Sequence, residues 1–247
     1  MYPVLFSIGG FSLFAYGTML AIAFALGIFL MLKDAAKNGL PEDKLLDMSI
    51  LIIIAALIGS RLLYVLIEWQ TFINDPLAIF AVRSGGLSFH GGLLFGIVTG
   101  YWYVRRHRMP AGKIADIVAP PLALGYAIVR VGCLLAGCCY GRPSDLPWAM
   151  PSSYLDSTLR HPTQLYALIA GLIIFGILLY RKGKTGFKGQ LLLEFVIYYS
   201  VYRFLVEFFR EVSAYIGVLT LGQTASLIAA VGAFVIIRIW PSVRNRL

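Results

Sequence analysis

Seven stretches of the chain are apolar over membrane-crossing lengths, at about residues 11–32, 45–68, 88–104, 114–135, 162–180, 189–210 and 216–239. A hydrocarbon core of roughly 30 Å takes about 20 residues as a helix. The pattern therefore predicts an all-α, polytopic membrane protein with seven transmembrane helices in a single domain over residues 1–247. No basic region precedes the first stretch, and it runs beyond the usual apolar length of a signal peptide, so it is expected to stay as an anchor. The segment 136–161 is the long connection. Its Pro143, Pro147 and Pro151, with Pro162 just beyond, and its Trp148 and Tyr154 fit an ordered cover on the outer interface.

Composition agrees: 59% of residues are hydrophobic and 13% charged, where a soluble domain has about 45–50% and about 25%. A net charge of +9 raises nucleic acid as a partner, but the placement of the basic residues removes it. Lys33, Lys37, Lys44, Arg105, Arg106, Arg108, Lys113, Arg181, Lys182, Lys184, Lys188, Arg238, Arg244 and Arg246 fall on one side of the predicted membrane. The opposite loops carry Arg83, Arg142 and Arg160. This asymmetry sets the amino terminus outside and the carboxyl terminus in the cytoplasm.

Four basic residues remain, Arg61, Arg130, Arg203 and Arg210, within or at the rim of apolar stretches. A charge at a helix centre costs roughly 2.5–3.5 kcal/mol on insertion. At about 1.5 Å per residue, Arg61 and Arg130 lie about 24 Å from the cytoplasmic ends of their helices and Arg203 about 21 Å, one shared level in the outer third. Tyr16, early in the first stretch, and His90, opening the third, reach that level from the other direction. In the sixth stretch Tyr199, Arg203, Glu207 and Arg210 share a face by their spacing. Guanidiniums partly balanced by one carboxylate suit a phosphate through bidentate hydrogen bonds. The alternatives are snorkelling to headgroups or structural pairing, as Arg203 and Glu207 can do alone.

Cys133, Cys138 and Cys139 follow Arg130. Their spacing matches no ordinary zinc pattern, so no metal is expected. Small buried residues, a disulfide from Cys133 to Cys138 or Cys139 and, despite that spacing, a metal ion or a covalent thiol remain open. Gly91, Gly92, Gly96 and Gly100 recur along the third stretch, which suits close packing of a neighbouring helix or a lateral gap for substrates.

Several separated blocks together resemble the prolipoprotein diacylglyceryl transferases of bacterial cytoplasmic membranes. These are Tyr16-Gly17; Gly59-Ser60-Arg61-Leu62 with Tyr64; the run from Ser84 to Gly92; Arg130-Val131-Gly132; Gly141-Arg142; His161 to Tyr166; Arg203 to Glu211; and Leu219 to Gln223. The resemblance implies transfer of the diacylglyceryl group of phosphatidylglycerol to the lipobox cysteine of a prolipoprotein signal peptide, releasing glycerol phosphate, with membrane lipid around it and no cofactor. It implies that Arg130 binds the lipid headgroup, with Arg61, Arg210, Gly132 and Gly141 as further substrate-binding positions. Arg203 and Glu207 would hold phosphate and order the cavity, and Tyr16 and His90 would line the reaction centre. Thioether formation needs a thiolate, and imidazole is the ordinary proton acceptor near neutral pH, so His90 is the candidate base. Where the family pattern after Arg130 carries an Asn, a Phe, another Asn and a Glu, this chain has Cys133, Leu134, Ala136 and Cys138. Roles of that Asn and Glu do not carry over. The competing class is a transporter or lipid-binding protein that holds an anion without chemistry.

Overall fold

The computed structural model describes residues 2–9, 11–73, 75–80, 85–151, 157–211 and 215–244. Arg83, Ser84, Tyr154, Arg246 and the side chain of Arg244 lie outside the described residues. Each predicted apolar stretch contains a helix: α1 Ala15–Lys37, α2 Glu42–Ile67, α4 Phe89–Arg106, α5 Ala111–Ala136, α6 Thr163–Arg181, α7 Gln190–Val206 and α8 Leu221–Arg244. A one-turn helix α3, Trp69–Phe72, follows α2. Five of these are long and apolar enough to cross a membrane, namely α1, α2, α5, α6 and α8, with mean hydropathy 1.7–2.6. The shorter α4 and α7, of 18 and 17 residues, carry arginines in their last turns.

The spanning helices are apolar yet mostly unburied: Phe29, Leu66, Ile173 and Ile228 are exposed. In water such a surface would drive association; in a bilayer it is the solvated face. Lipid supplies no hydrogen bonds, so every helix end and every polar side chain must find a partner inside the protein or at the interface.

Contacts group the chain into two compact units, one of Met1–Met31 and Gly112–Leu247, the other of Leu32–Ala111. In the smaller unit α2 and α4 pack through glycines. A Cβ at Gly91 would strike the Gly59 carbonyl, and one at Gly92 would lie 3.2 Å from the Ala56 carbonyl oxygen. Farther along, Gly96 and Gly100 face Ile52. The glycine stripe of α4 is thus filled by α2, which is the packing alternative.

In the larger unit a hairpin of β1 (Val4–Ile8) and β2 (Phe11–Phe14) leads into α1. The core is formed by Ala119 and Ala123 of α5, Ile174 and Leu178 of α6 and Leu191 of α7. Pro120 and Pro121 interrupt the hydrogen-bond ladder of α5 but are buried. The start of α7 has no partner within its own helix. Asp116 supplies one, accepting from the Gly189 and Leu191 amides at 2.8 Å each. One turn into α7, Glu194 takes two bonds from Arg181, at 2.7 and 3.0 Å, and one from Gln190 at 2.8 Å. The polar groups at this end of the larger unit are closed among themselves.

The connection after α5 is ordered where described. Strands β3 (Met150–Pro151) and β4 (Leu159–Arg160) pair, and the Trp148 indole donates to the Tyr166 hydroxyl at 2.9 Å. Its beginning is tied to the end of α7, because the Arg142 amide donates to the Phe209 carbonyl and the Gly141 amide to the His161 carbonyl, both at 2.9 Å.

Candidate active site

The opposite end of the larger unit gathers helix termini of both directions, as the sequence depth count predicts. The last turns of α5 sit against the first turn of α1. A Cβ at Gly132 would come within 3.1 Å of the Tyr16 Cα and 3.0 Å of the Met19 Cβ, so a side chain there would push these neighbours apart by a few tenths of an ångström. The contact places Tyr16, itself exposed, beside the helix end that bears Arg130 and the cysteines. Gly141 is needed for a similar reason, lying against His161, Thr163 and the Phe209 carbonyl. Both glycines, expected at the substrate, lie where neighbouring backbone and side chains come close.

Arg203 and Glu207 form an ion pair one helical turn apart, and Arg210 Nε lies 3.9 Å from the same carboxylate. Glu207 is almost fully buried and its second oxygen accepts from the Thr220 hydroxyl at 3.0 Å. Thr220 and Gln223 close a reciprocal cap on α8: the Thr220 amide donates to Gln223 Oε1, and the Gln223 amide to Thr220 Oγ1, each at 3.1 Å. The carboxylate therefore sits at the positive end of α8. Gly222 leaves it room, since a Cβ there would meet Glu207 Oε1 at 2.5 Å and Arg203 Nη2 at 2.9 Å.

Arg130 is different. Its guanidinium lies over the Tyr126 ring, 4.6 Å from the centroid, and Tyr126 packs edge-on against Tyr199 at 5.1 Å. Its Nη1 reaches the Cys133 sulfur, at 3.8 Å, and its buried Nε has no hydrogen-bond partner. Among the described residues no carboxylate pairs with it. Leaving one charge of a buried pair uncompensated costs about 3–5 kcal/mol. With Arg130, Arg203 and Arg210 set against Glu207 alone, the local field favours an arriving anion.

The cysteine segment is gripped from α6. Thr163 Oγ1 donates to the Cys139 carbonyl and Gln164 Nε2 to the Cys138 carbonyl, both at 2.6 Å, from side chains 3% exposed. Cys133 is buried, Cys138 half-buried and Cys139 exposed, and their sulfur atoms lie within 4.8 Å of one another. Hydrogen bonds from the neighbouring thiols of Cys133 and Cys138, then the charges of Arg130 and Arg210, hold the Cys139 thiol well below the ordinary range. The reciprocal bonds push the Cys138 thiol up. Spacing along the chain does not disclose this convergence.

Arg61 and His90 belong to the smaller unit. Arg61 is 8% exposed and makes four donor contacts to carbonyls: Nη2 to Ala78 at 2.5 Å, Nε to Ile79 at 2.8 Å, and Nη1 to Gly85 and Gly86 at 2.9 Å each. These bonds tie it to the chain entering α4. Gly86, in the left-handed region at φ +74, leaves space for it and for Tyr64, and the Ser88 amide then bonds the Ser60 carbonyl at 2.9 Å. Two residues on, His90 stands exposed in the first turn of α4.

Thr163, Gln164, Tyr126, Thr220 and Gln223 were the residues least legible beforehand. The available signal was a group of polar side chains opening otherwise apolar helices, which also fits simple capping and interface anchoring.

A cationic cluster held at the ends of apolar, lipid-facing helices defines a multi-pass membrane protein that receives an anionic group. The chain belongs to the prolipoprotein diacylglyceryl transferase family, whose family model matches residues 3–239. It is similar to the phosphatidylglycerol–prolipoprotein diacylglyceryl transferase of Clostridioides difficile (strain 630), 34% identical over 244 residues, 98% of this chain and 96% of that protein. The enzymes of the same name from Finegoldia magna and Geobacter sulfurreducens are each 35% identical, over 96% and 91% of this chain and 94% and 89% of theirs.

Proposed function

We propose that this protein transfers the diacylglyceryl group of phosphatidylglycerol to the lipobox cysteine of bacterial prolipoproteins, releasing glycerol phosphate. It acts in the bacterial cytoplasmic membrane with seven spanning helices, the amino terminus outside and the carboxyl terminus in the cytoplasm. The observation that carries the reading is the half-buried Arg130, its Nε unpartnered and no carboxylate paired with it among the described residues, near the Arg203–Glu207–Arg210 group.

In the reaction the acceptor sulfur forms a bond to the glyceryl carbon while that carbon's bond to the phosphate oxygen breaks. The electron pair leaves with glycerol phosphate. Arg130 binds the phosphate of the donor headgroup, and Arg203 and Arg210 meet the charge that develops on the leaving oxygen; such preorganised donors act best where water is excluded. Glu207, fixed by Thr220 and the start of α8, orients both arginines. His90 takes the thiol proton, and Tyr16 lines the reaction centre. Gly132 and Gly141 shape the walls around Arg130 and Glu207, and Arg61 holds the chain that leads to His90.

A transporter of the same anion needs a polar route at the other end. There, Asp116 and Glu194 are both occupied in structural hydrogen bonds, which favours chemistry at one end. The test is purified protein with phosphatidylglycerol and a lipobox peptide, followed by the peptide's mass. The expected result is a gain of one diacylglyceryl group. An unchanged peptide mass with folded wild-type protein would remove the proposal.

A further inference from the structure

The three cysteines remain outside that mechanism, and their geometry is built. Cys133 lies in the last turn of α5, and Gly137 at φ +67 turns the chain so that the Cys138 amide returns to the Cys133 carbonyl at 3.1 Å. Cys139 is then left-handed, at φ +64, a conformation costing a non-glycine residue roughly 1–2 kcal/mol. Two nearly fully buried side chains of α6, Thr163 and Gln164, hold the carbonyls of this strained pair. The outcome is three sulfur atoms from separate directions within 4.8 Å of one another, graded from buried to exposed.

A disulfide uses only two sulfurs and needs them about 2.05 Å apart. A thiophilic ion uses all three. At Zn–S distances of about 2.3 Å, a tetrahedral face sets the sulfurs about 3.8 Å apart, so closure requires movement of about 1 Å. Thiolates select soft or borderline ions. Three thiolates leave one net negative charge with Zn²⁺ and two with Cu⁺, and the nearest cation, Arg130 Nη1, is 3.8 Å from the Cys133 sulfur. A single excess charge is the better match. Among the described residues no histidine or carboxylate joins the sulfurs, so the fourth position of a tetrahedral ion is open, on the side where Cys139 is exposed.

We propose that Cys133, Cys138 and Cys139 hold a zinc ion whose open coordination position takes the thiol of the acceptor cysteine. The acceptor half of this inference rests on the transferase reading; the metal half does not. A thiol that coordinates zinc gives up its proton. The proton passes to a base, the sulfur stays bound as thiolate, and zinc neither gains nor loses electrons. In the transfer that follows, the sulfur-to-carbon bond forms as the carbon-to-oxygen bond to phosphate breaks.

The experiment is cobalt(II) substitution of the full-length protein in detergent, with thiols reduced and folding checked by thermal melting. The wild type should bind one ion per chain and show sulfur-to-cobalt charge-transfer absorption, and zinc should abolish that absorption. Cys139→Ser, at the exposed position, should lose most of the band while melting like the wild type; should it not fold, Cys138→Ser is read the same way. Adding a lipobox peptide should shift the ligand-field bands, and the same peptide with serine in place of cysteine should leave them unchanged. Absence of the charge-transfer band in folded, reduced wild type, or binding of copper(I) with none of cobalt or zinc, would overturn the metal site. A band that ignores the cysteine peptide would overturn the acceptor role alone. A shifted band without any lipid transfer would leave the zinc site standing and count against the transferase reading.

Discussion

Arg61 and Arg130 stand at the same predicted depth on apolar helices, yet the structure treats them oppositely. The first is enclosed by four backbone carbonyls contributed by the chain between α3 and α4. The second touches an aromatic ring and a sulfur and leaves a buried nitrogen unpartnered. Both escape lipid. Only Arg130 retains capacity for an external ligand. An arginine within a membrane segment is thus a marker of a polar environment, and its hydrogen-bond partners decide whether that environment is the protein's own loop or a substrate.

The comparison predicts separable failures. Arg130→Ala should melt within a few degrees of the wild type and lose about 100- to 1,000-fold in transfer rate, the range for removing one preorganised donor. Arg130→Lys should recover part of this, since Lys keeps the charge without the bidentate fork. Retention of full turnover by a folded Arg130→Ala protein would erase the distinction. Arg61→Ala should instead lower stability by about 3 kcal/mol or more, because hydrogen bonds to charged groups contribute about 1.5–3 kcal/mol each. Activity should fall with the folded fraction, as measured by denaturation in detergent alongside turnover.

A smaller effect tests the support of the cationic group. Gly222→Ala places a methyl against Glu207 and Arg203 and should cost about 1–3 kcal/mol through overpacking, with kcat reduced more than KM for lipid. Equal changes in both would mean that the pair merely fills space. Thr220→Ala removes the cap of α8 and one bond to Glu207, with an expected loss of about 1 kcal/mol. At the bottom of the scale, Glu211 is 70% exposed in its pair with Arg160; Glu211→Gln should change stability by no more than about 0.5 kcal/mol.

Hydropathy is a local property, which is why the apolar stretches, each holding a helix and five of them long and apolar enough to cross a membrane, were legible from residue pattern alone, with ends displaced by a few residues. The end of α1 and both ends of α8 lie farther along than predicted, and at α7 the predicted stretch continues to Arg210 while the α-helix stops at Val206 and a short 3-10 turn, Glu207–Phe209, follows. Depth counting was also local, and it correctly brought Tyr16, Arg130 and Arg203 to the same end of the larger unit. The family resemblance rested on short blocks in order, again without tertiary information.

The partners were not legible, because they are set by chain segments far apart. Arg61 finds acceptors 17 to 25 residues away, and Gln164 reaches back 26 residues to Cys138. The glycines at 132 and 141 could be read as part of a binding motif, but only packing reveals the backbone or side chain that each admits. Cysteine spacing counts residues along a path and does not disclose that the three sulfur atoms come within 4.8 Å of one another. The chain by itself determined which residues must avoid lipid, since the transfer energy of each side chain travels with it. Tertiary structure alone decided how each avoids lipid, because a hydrogen bond or a metal ligand depends on where the folded backbone brings its partner.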